Sequence, residues 1–239
     1  MNQVPSRSGT PLLAAAFAFV VVSAFATRPA DAAHEPGKGV RTLVLIRHGV
    51  YDEDDPRDPS VGRALTERGR EQARAAGERL AERGVTALYA SPLPRAQQTA
   101  EEVGAVLGLP VGTLEGVHEL DVGVHEGEHD EKVGPVALQV FGAWWREDDL
   151  SAGFPGGETG VQIVERMRTA LDSVADRHEG TTTVVVSHGG AMAVGLQSLC
   201  ENLDALFVSQ HILANCELVE LRRDADGWHC DVWAGLSRD

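Results

Sequence analysis

Two short runs, Leu43-Val44-Leu45-Ile46 and Thr183-Val184-Val185-Val186, constrain the fold of this chain most tightly. Neither alternates apolar with polar residues. Each therefore reads as a strand covered on both faces, the habit of a parallel sheet flanked by helices. Each run also ends in a histidine–glycine step: Arg47-His48-Gly49 after the first, Ser187-His188-Gly189-Gly190 after the second. In an open parallel sheet, ligand-binding residues collect at the carboxyl ends of the strands. Two strand-end histidines, one beside an arginine, imply a pocket for an anion and a nucleophile to attack it. Phosphate chemistry is the expectation.

The intervening pattern supports the same class. Thr66 has N-cap chemistry, and a charged, alanine-rich segment runs from it to Arg83, with Ala73, Ala76 and Leu80 on one face and Gly84 at its end. Val85–Ala90 reads as a strand, and Pro94–Leu107 as a helix closed by Gly108. Strand and helix alternating at this spacing give βαβ units. The stretch from about 110 to 157 is less regular, with one amphipathic helix expected over Val136–Arg146. Val161–His178 and Ala191–Cys200 read as helices and Thr182–Ser187 as a strand. Ile212–Leu221 and Gly227–Ala234 read as two strands joined by the Asp224-Ala225-Asp226-Gly227 turn. The expected fold is α/β, a three-layer α/β/α sandwich on a mostly parallel sheet.

The first 32 residues belong to a different class of sequence. Arg7 lies in a polar start, Leu12 to Ala26 is almost wholly Ala, Val, Phe and Leu, and Ala30-Asp31-Ala32 forms a small-x-small cleavage site. That is a secretory signal peptide, so the protein is expected to be exported, periplasmic or secreted. The rival, an uncleaved membrane anchor, has a run shorter than the roughly 20 residues needed to span a bilayer. Residues 33–40 read as a linker, and 41–239 as one domain. A net charge of −15 argues against nucleic acid as a partner and against an anionic membrane surface. Cys216 and Cys230 fall on strands expected to be neighbours, which allows either a disulfide or two buried, inert thiols; with Cys200 the count is odd.

A phosphate needs donors on several sides, and the arginine fork supplies two at once. Arg47 adjoins His48, and Arg95 sits at a helix start just after the second strand, where unpaired N–H groups favour an anion. His48 is the candidate nucleophile, its neutral form favoured by the two guanidiniums. His188 would donate to a phosphoryl oxygen, with the Gly189 backbone beside it.

These pieces resemble the histidine phosphatase superfamily, which includes phosphoglycerate mutases and many phosphomonoesterases. The matching segments come in the family's order: Arg47-His48-Gly49; Leu65 through Ala73; Ser91-Pro92-Leu93 through Arg95-Ala96 to Gln98-Thr99-Ala100; Glu119 with Gly123 and Glu126-Gly127; Gly156-Gly157-Glu158; and Ser187-His188-Gly189-Gly190. The resemblance implies that His48 becomes phosphorylated, with Arg47, Arg95 and His188 around the phosphate. It implies that Glu119, four residues before Gly123, protonates the leaving alcohol and then activates water. Glu115, Asp121 and Glu126 are its rivals. Glu158 reads as a helix-opening residue.

One departure stands out. Where many relatives have Glu-Thr and then a phosphate-contacting asparagine, this chain has Val50-Tyr51-Asp52-Glu53-Asp54-Asp55-Pro56-Arg57-Asp58-Pro59. That loop is either a solvated acidic segment or a gate that disfavours polyanions, with Arg57 and Arg63 available to offset it. His125-Glu126-Gly127-Glu128-His129 satisfies a zinc-protease pattern, but Gly123, Gly127, Gly134 and Pro135 argue against the helix it needs. No metal and no cofactor are expected. The leading reading is an exported phosphomonoesterase for a small phosphorylated substrate. A mutase, a phosphoprotein phosphatase and a phosphate-binding module without catalysis are the alternatives.

Overall fold

The computed structural model describes residues 41–52, 64–128 and 130–238, so the expected leader, the linker and most of the acidic loop lie outside the described residues. Along the chain come β1 (Arg41–Arg47), α1 (Glu67–Leu80), β2 (Val85–Ala90), α2 (Pro94–Leu107), β3 (Val111–Thr113), α3 (Asp130–Arg146) and α4 (Gly160–Arg177). Then follow β4 (Thr182–Ser187), α5 (Gly189–Leu199), α6 (Ala205–Gln210), β5 (Leu218–Arg223), β6 (Trp228–Trp233) and β7 (Leu236–Ser237). The sheet runs β3-β2-β4-β1-β5-β6-β7. Its first four strands are parallel, and β5, β6 and β7 extend it antiparallel from β1.

The unbroken apolar runs explain the layers. Along β1, Leu43 and Leu45 face one core, shared with Met167 and Leu171 of α4 and Leu196 of α5. Val44 and Ile46 face the other, shared with Ala73, Ala76 and Leu80 of α1 and Ala96, Ala100 and Val103 of α2. All four β1 side chains are within 1% of complete burial, each contributing about 1.5–3 kcal/mol of transfer free energy. The expected α/β/α sandwich is thus the fold. Among the described residues, no helix is long and apolar enough to cross a membrane.

Several local expectations need correction. Helix α1 stops at Leu80, not Arg83: its apolar stripe ends there, and the chain turns through Gly84 at φ +63°. Helix α3 starts six residues before Val136 despite Pro135. A proline near a helix start removes only one ladder bond, and the stripe Val133, Val136, Val140 and Trp144 still packs on the core. Strand β3, helix α6 and strand β7 are too short to leave a periodic signal. The strand expected from Ile212 begins only at Leu218, because the 215–217 turn instead binds the end of β1. Cys216 N donates to Arg47 O at 2.9 Å, and Cys216 itself has φ +58°. Of the two alternatives left open for Cys216 and Cys230, the structure shows the buried thiols: all three cysteines are free and buried. Cys216 belongs to the α1/α2 core and Cys230 to the opposite one, so the sheet separates them. Burial pushes both thiols up to about 12.

Candidate active site

Strands β1 and β4 pair in register through Arg47 and Ser187, so the residues just beyond them share one sheet end. His48 N donates to Ser187 O at 3.0 Å, and Asn215 Nδ2 donates to His48 O at 2.9 Å. Gly49 N donates to Thr99 Oγ1, which donates in turn to Arg95 O, tying the histidine loop to the first turn of α2. Gly49 also crosses the backbone of α1 closely. A Cβ on it would lie 2.6 Å from Gly69 O, and one on Gly69 would lie 2.0 Å from Val50 O. Only a pair of glycines permits that crossing.

His48 is 2% exposed. Its Nδ1–H donates to Gly49 O at 2.8 Å, and its Nε2 accepts from Arg95 Nε at 3.3 Å. These contacts fix one tautomer and leave the Nε2 lone pair facing the cationic end of the site. Burial first and then the charge of Arg95 lower its pKa to about 3, with a smaller contribution from Arg47 that the upward pull of the Gly49 hydrogen bond exceeds. The Tyr51 ring meets His48 edge-on at 5.4 Å between centroids, and the Arg95 guanidinium lies 5.3 Å from the same ring.

His188 is fully buried, its ring centroid 5.0 Å from that of His48. Burial and the charge of Arg95 hold it well below the ordinary histidine range. Its Nε2 lies 2.8 Å from Ser91 Oγ, which accepts from Leu93 N. Ser91 Oγ can give its proton to Nε2, which leaves the imidazole N–H on Nδ1, or accept a second bond from Nε2–H. That Nδ1, and the Nε of Arg47, are buried and have no hydrogen-bond partner among the described residues. A buried donor left unmet costs about 1–3 kcal/mol. Of these two nitrogens, one belongs to His188, whose ring packs against His48, and one to Arg47, the chain neighbour of His48. Gly189 lies against the second of them, since a Cβ there would be 3.0 Å from Arg47 Nε.

Glu119 completes the group. Ligating atoms of His48, Glu119 and His188 all lie within 4.8 Å of one another. Its carboxylate accepts from Gly190 N and Ala191 N at the start of α5, as well as from Leu120 N. The same three side chains have the donor types of a metal site, but Arg47 and Arg95 beside them oppose a cation. His125 sits in a 3-10 turn, Gly123–His125, so the helical face that the zinc pattern needs does not form there; His129 lies outside the described residues.

Sequence reasoning missed the supports. Glu158 does not open α4: Thr159 caps it, in a capping box with Gln162. Glu158 instead grips Arg166 through two hydrogen bonds of 2.7 and 2.9 Å and accepts from Asp121 N. Burial pushes its carboxyl up, but Arg166 and the Asp121 N–H outweigh this and hold it below the usual range. Arg166 also donates to the carbonyls of Gly116, His118 and Glu119, so the pair clamps the segment that presents Glu119. Ser91 and Thr99 stood inside quoted motifs, so they were findable. Arg166 was one charged residue among many on a helix face, with no signal.

Comparison with known proteins finds relatives over most of the described residues. The model of the histidine phosphatase superfamily (branch 1) matches residues 43–235. Phosphoglycerate mutase-like protein 4 of Arabidopsis thaliana is 30% identical over 203 residues, 82% of this chain and 85% of that protein. A probable phosphoglycerate mutase, GpmB, of Yersinia enterocolitica is 30% identical, over 80% of this chain and 89% of its own length. Among solved structures, a mycobacterial glucosyl-3-phosphoglycerate phosphatase superposes with a TM-score of 0.69 at 27% identity, covering 82% of this chain and all of that one.

Proposed function

The chain belongs to the histidine phosphatase superfamily, and on that premise we propose that it is a phosphomonoester hydrolase working through a phosphohistidine at His48. The observation that carries this reading is the pair of unmet buried nitrogens, His188 Nδ1 and Arg47 Nε, on the residues flanking a neutral imidazole. A phosphoryl oxygen would accept from Arg47 Nε, and from His188 Nδ1 in the tautomer that carries the proton there.

The steps follow from the contacts. The His48 Nε2 lone pair attacks phosphorus and the P–O ester bond breaks. The departing alkoxide takes a proton from Glu119 in its acid form. Water then attacks the phosphohistidine, gives a proton to the Glu119 carboxylate, and the P–N bond breaks to release inorganic phosphate. Arg47, Arg95 and His188 hold the equatorial oxygens, where fixed donors lower the barrier most.

The curated relatives carry mutase names, so isomerisation of a phosphorylated hydroxy acid is the second reading. Incubation with p-nitrophenyl phosphate and, separately, with 3-phosphoglycerate distinguishes them. The hydrolase reading expects inorganic phosphate from the first ester, abolished in His48→Ala, and no interconversion of phosphoglycerates. Isomerisation without phosphate release favours the mutase. A chain that binds phosphate but turns over neither ester is a binding module. Residues 1–32 would direct export, a proposal that N-terminal sequencing of the mature protein at Ala33 checks.

A further inference from the structure

Beyond the phosphate end of the site lies a cleft of about 620 Å³, whose wall includes Arg95 and Glu119 of the catalytic group. The rest of its charge comes from the 115–128 segment. Glu115, Glu119, Asp121, Glu126 and Glu128 all line it, against the Arg95 guanidinium among the described lining residues and, for Glu128 alone, the Lys132 ammonium paired with it. The histidines there do little to offset them: burial and the charge of Arg166 lower the His118 pKa, and His125 is paired with Glu128. Nearby cations are occupied as well. Arg166 is held by Glu158 and three carbonyls, and Lys132 pairs with Glu128.

Exposed acids alone would be a solvated rim. These line a cavity continuous with Glu119, which stands within 4.8 Å of a fully buried histidine whose Nδ1 lacks a partner. A phosphomonoester bound beside Arg95 and Glu119, which both line the cleft, therefore has its alcohol half among carboxylates. An alcohol bearing its own carboxylate meets repulsion there, and one bearing an ammonium meets attraction. Glu115 is exposed and makes no hydrogen bond or ion pair among the described residues, so it is available to a cation.

We infer that the preferred substrate is a phosphomonoester of a positively charged alcohol, an amino alcohol or a quaternary ammonium alcohol. The inference rests on the phosphatase reading above. Its test is a comparison of kcat/KM for O-phosphorylethanolamine, phosphocholine, glycerol 3-phosphate, 3-phosphoglycerate and p-nitrophenyl phosphate, at low and high salt. The cationic esters should exceed 3-phosphoglycerate by about tenfold or more at low ionic strength, with the ratio shrinking as salt screens the cleft. The double variant Glu115→Gln, Glu126→Gln should shrink it too; if that variant does not fold, the salt series on the wild type decides. Hydrolysis of p-nitrophenyl phosphate with 3-phosphoglycerate favoured, or a ratio that neither salt nor the variant moves, overturns the inference and leaves the phosphatase reading standing. Failure to turn over any of the esters removes both.

Discussion

At the residue scale, a histidine held neutral by burial and two guanidiniums reverses the usual acid response. An ordinary histidine protonates near 6.5, whereas His48 resists protonation down to about 3. Between those values the unfolded chain binds the extra proton and the native state does not. Stability therefore falls as pH drops through that window and is unaffected by this group above it. The nucleophile itself stays in its attacking form throughout. An acid limb in kcat/KM near pH 6 would thus report the second ionisation of the phosphate ester, not His48. Nitrogen NMR of the His48 ring from pH 7 to 4 checks this: one unchanged neutral tautomer is expected, with Nδ1 protonated. The positions of Arg47, His48, Arg95 and His188 were legible in the sequence because each stands at or soon after a strand end: Arg47 closes β1, His48 and His188 follow β1 and β4, and Arg95 lies in the first turn of α2 after β2. The orientation of each ring was not, since it depends on Ser91, Gly49 O and Arg95, whose approach is a product of the whole fold.

At the element scale, two supports decide whether those residues meet. Helix α1 passes the histidine loop at Gly69, in its first turn. Glycine to alanine inside a helix ordinarily stabilises by about 0.5–1 kcal/mol. Here the new Cβ would lie 2.0 Å from Val50 O, against backbone that cannot yield without moving His48. Gly69→Ala should therefore destabilise, by about 3 kcal/mol, and lower kcat with it; urea denaturation gives the sign. The Glu158–Arg166 clamp is the second support. Both side chains are nearly buried, at 16% and 14% exposure, so removing one leaves the other poorly solvated. Arg166→Ala should cost about 3 kcal/mol. It should also lower kcat for p-nitrophenyl phosphate more than it raises KM, because the Glu119 segment loses its anchor while the phosphate donors remain. The regular elements β2, α2 and β4 matched their sequence signals at both ends, since an unbroken apolar run, a proline start and a Gly108 cap are local. The 110–157 segment and the 212–217 turn were not legible, because their shape comes from contacts with distant backbone: Arg166 on three carbonyls, and Cys216 on Arg47.

At the scale of the whole molecule, a protein of net charge −15 binds phosphate by concentrating a few cations at one sheet end. The parallel half of the sheet performs that concentration, since β1, β2 and β4 all deliver their carboxyl ends to the same edge. On the reading proposed above, the acidic residues of the cleft would select among phosphate esters by the charge of the alcohol. The central claim is that His48 carries the phosphoryl group between ester and water. Denaturing the enzyme in alkali during turnover of p-nitrophenyl phosphate, followed by peptide mass mapping, tests it most directly. The account expects one acid-labile phosphoryl group on the peptide containing His48, absent in His48→Ala. Undiminished hydrolysis by His48→Ala, with no adduct at that position in the wild type, would contradict it.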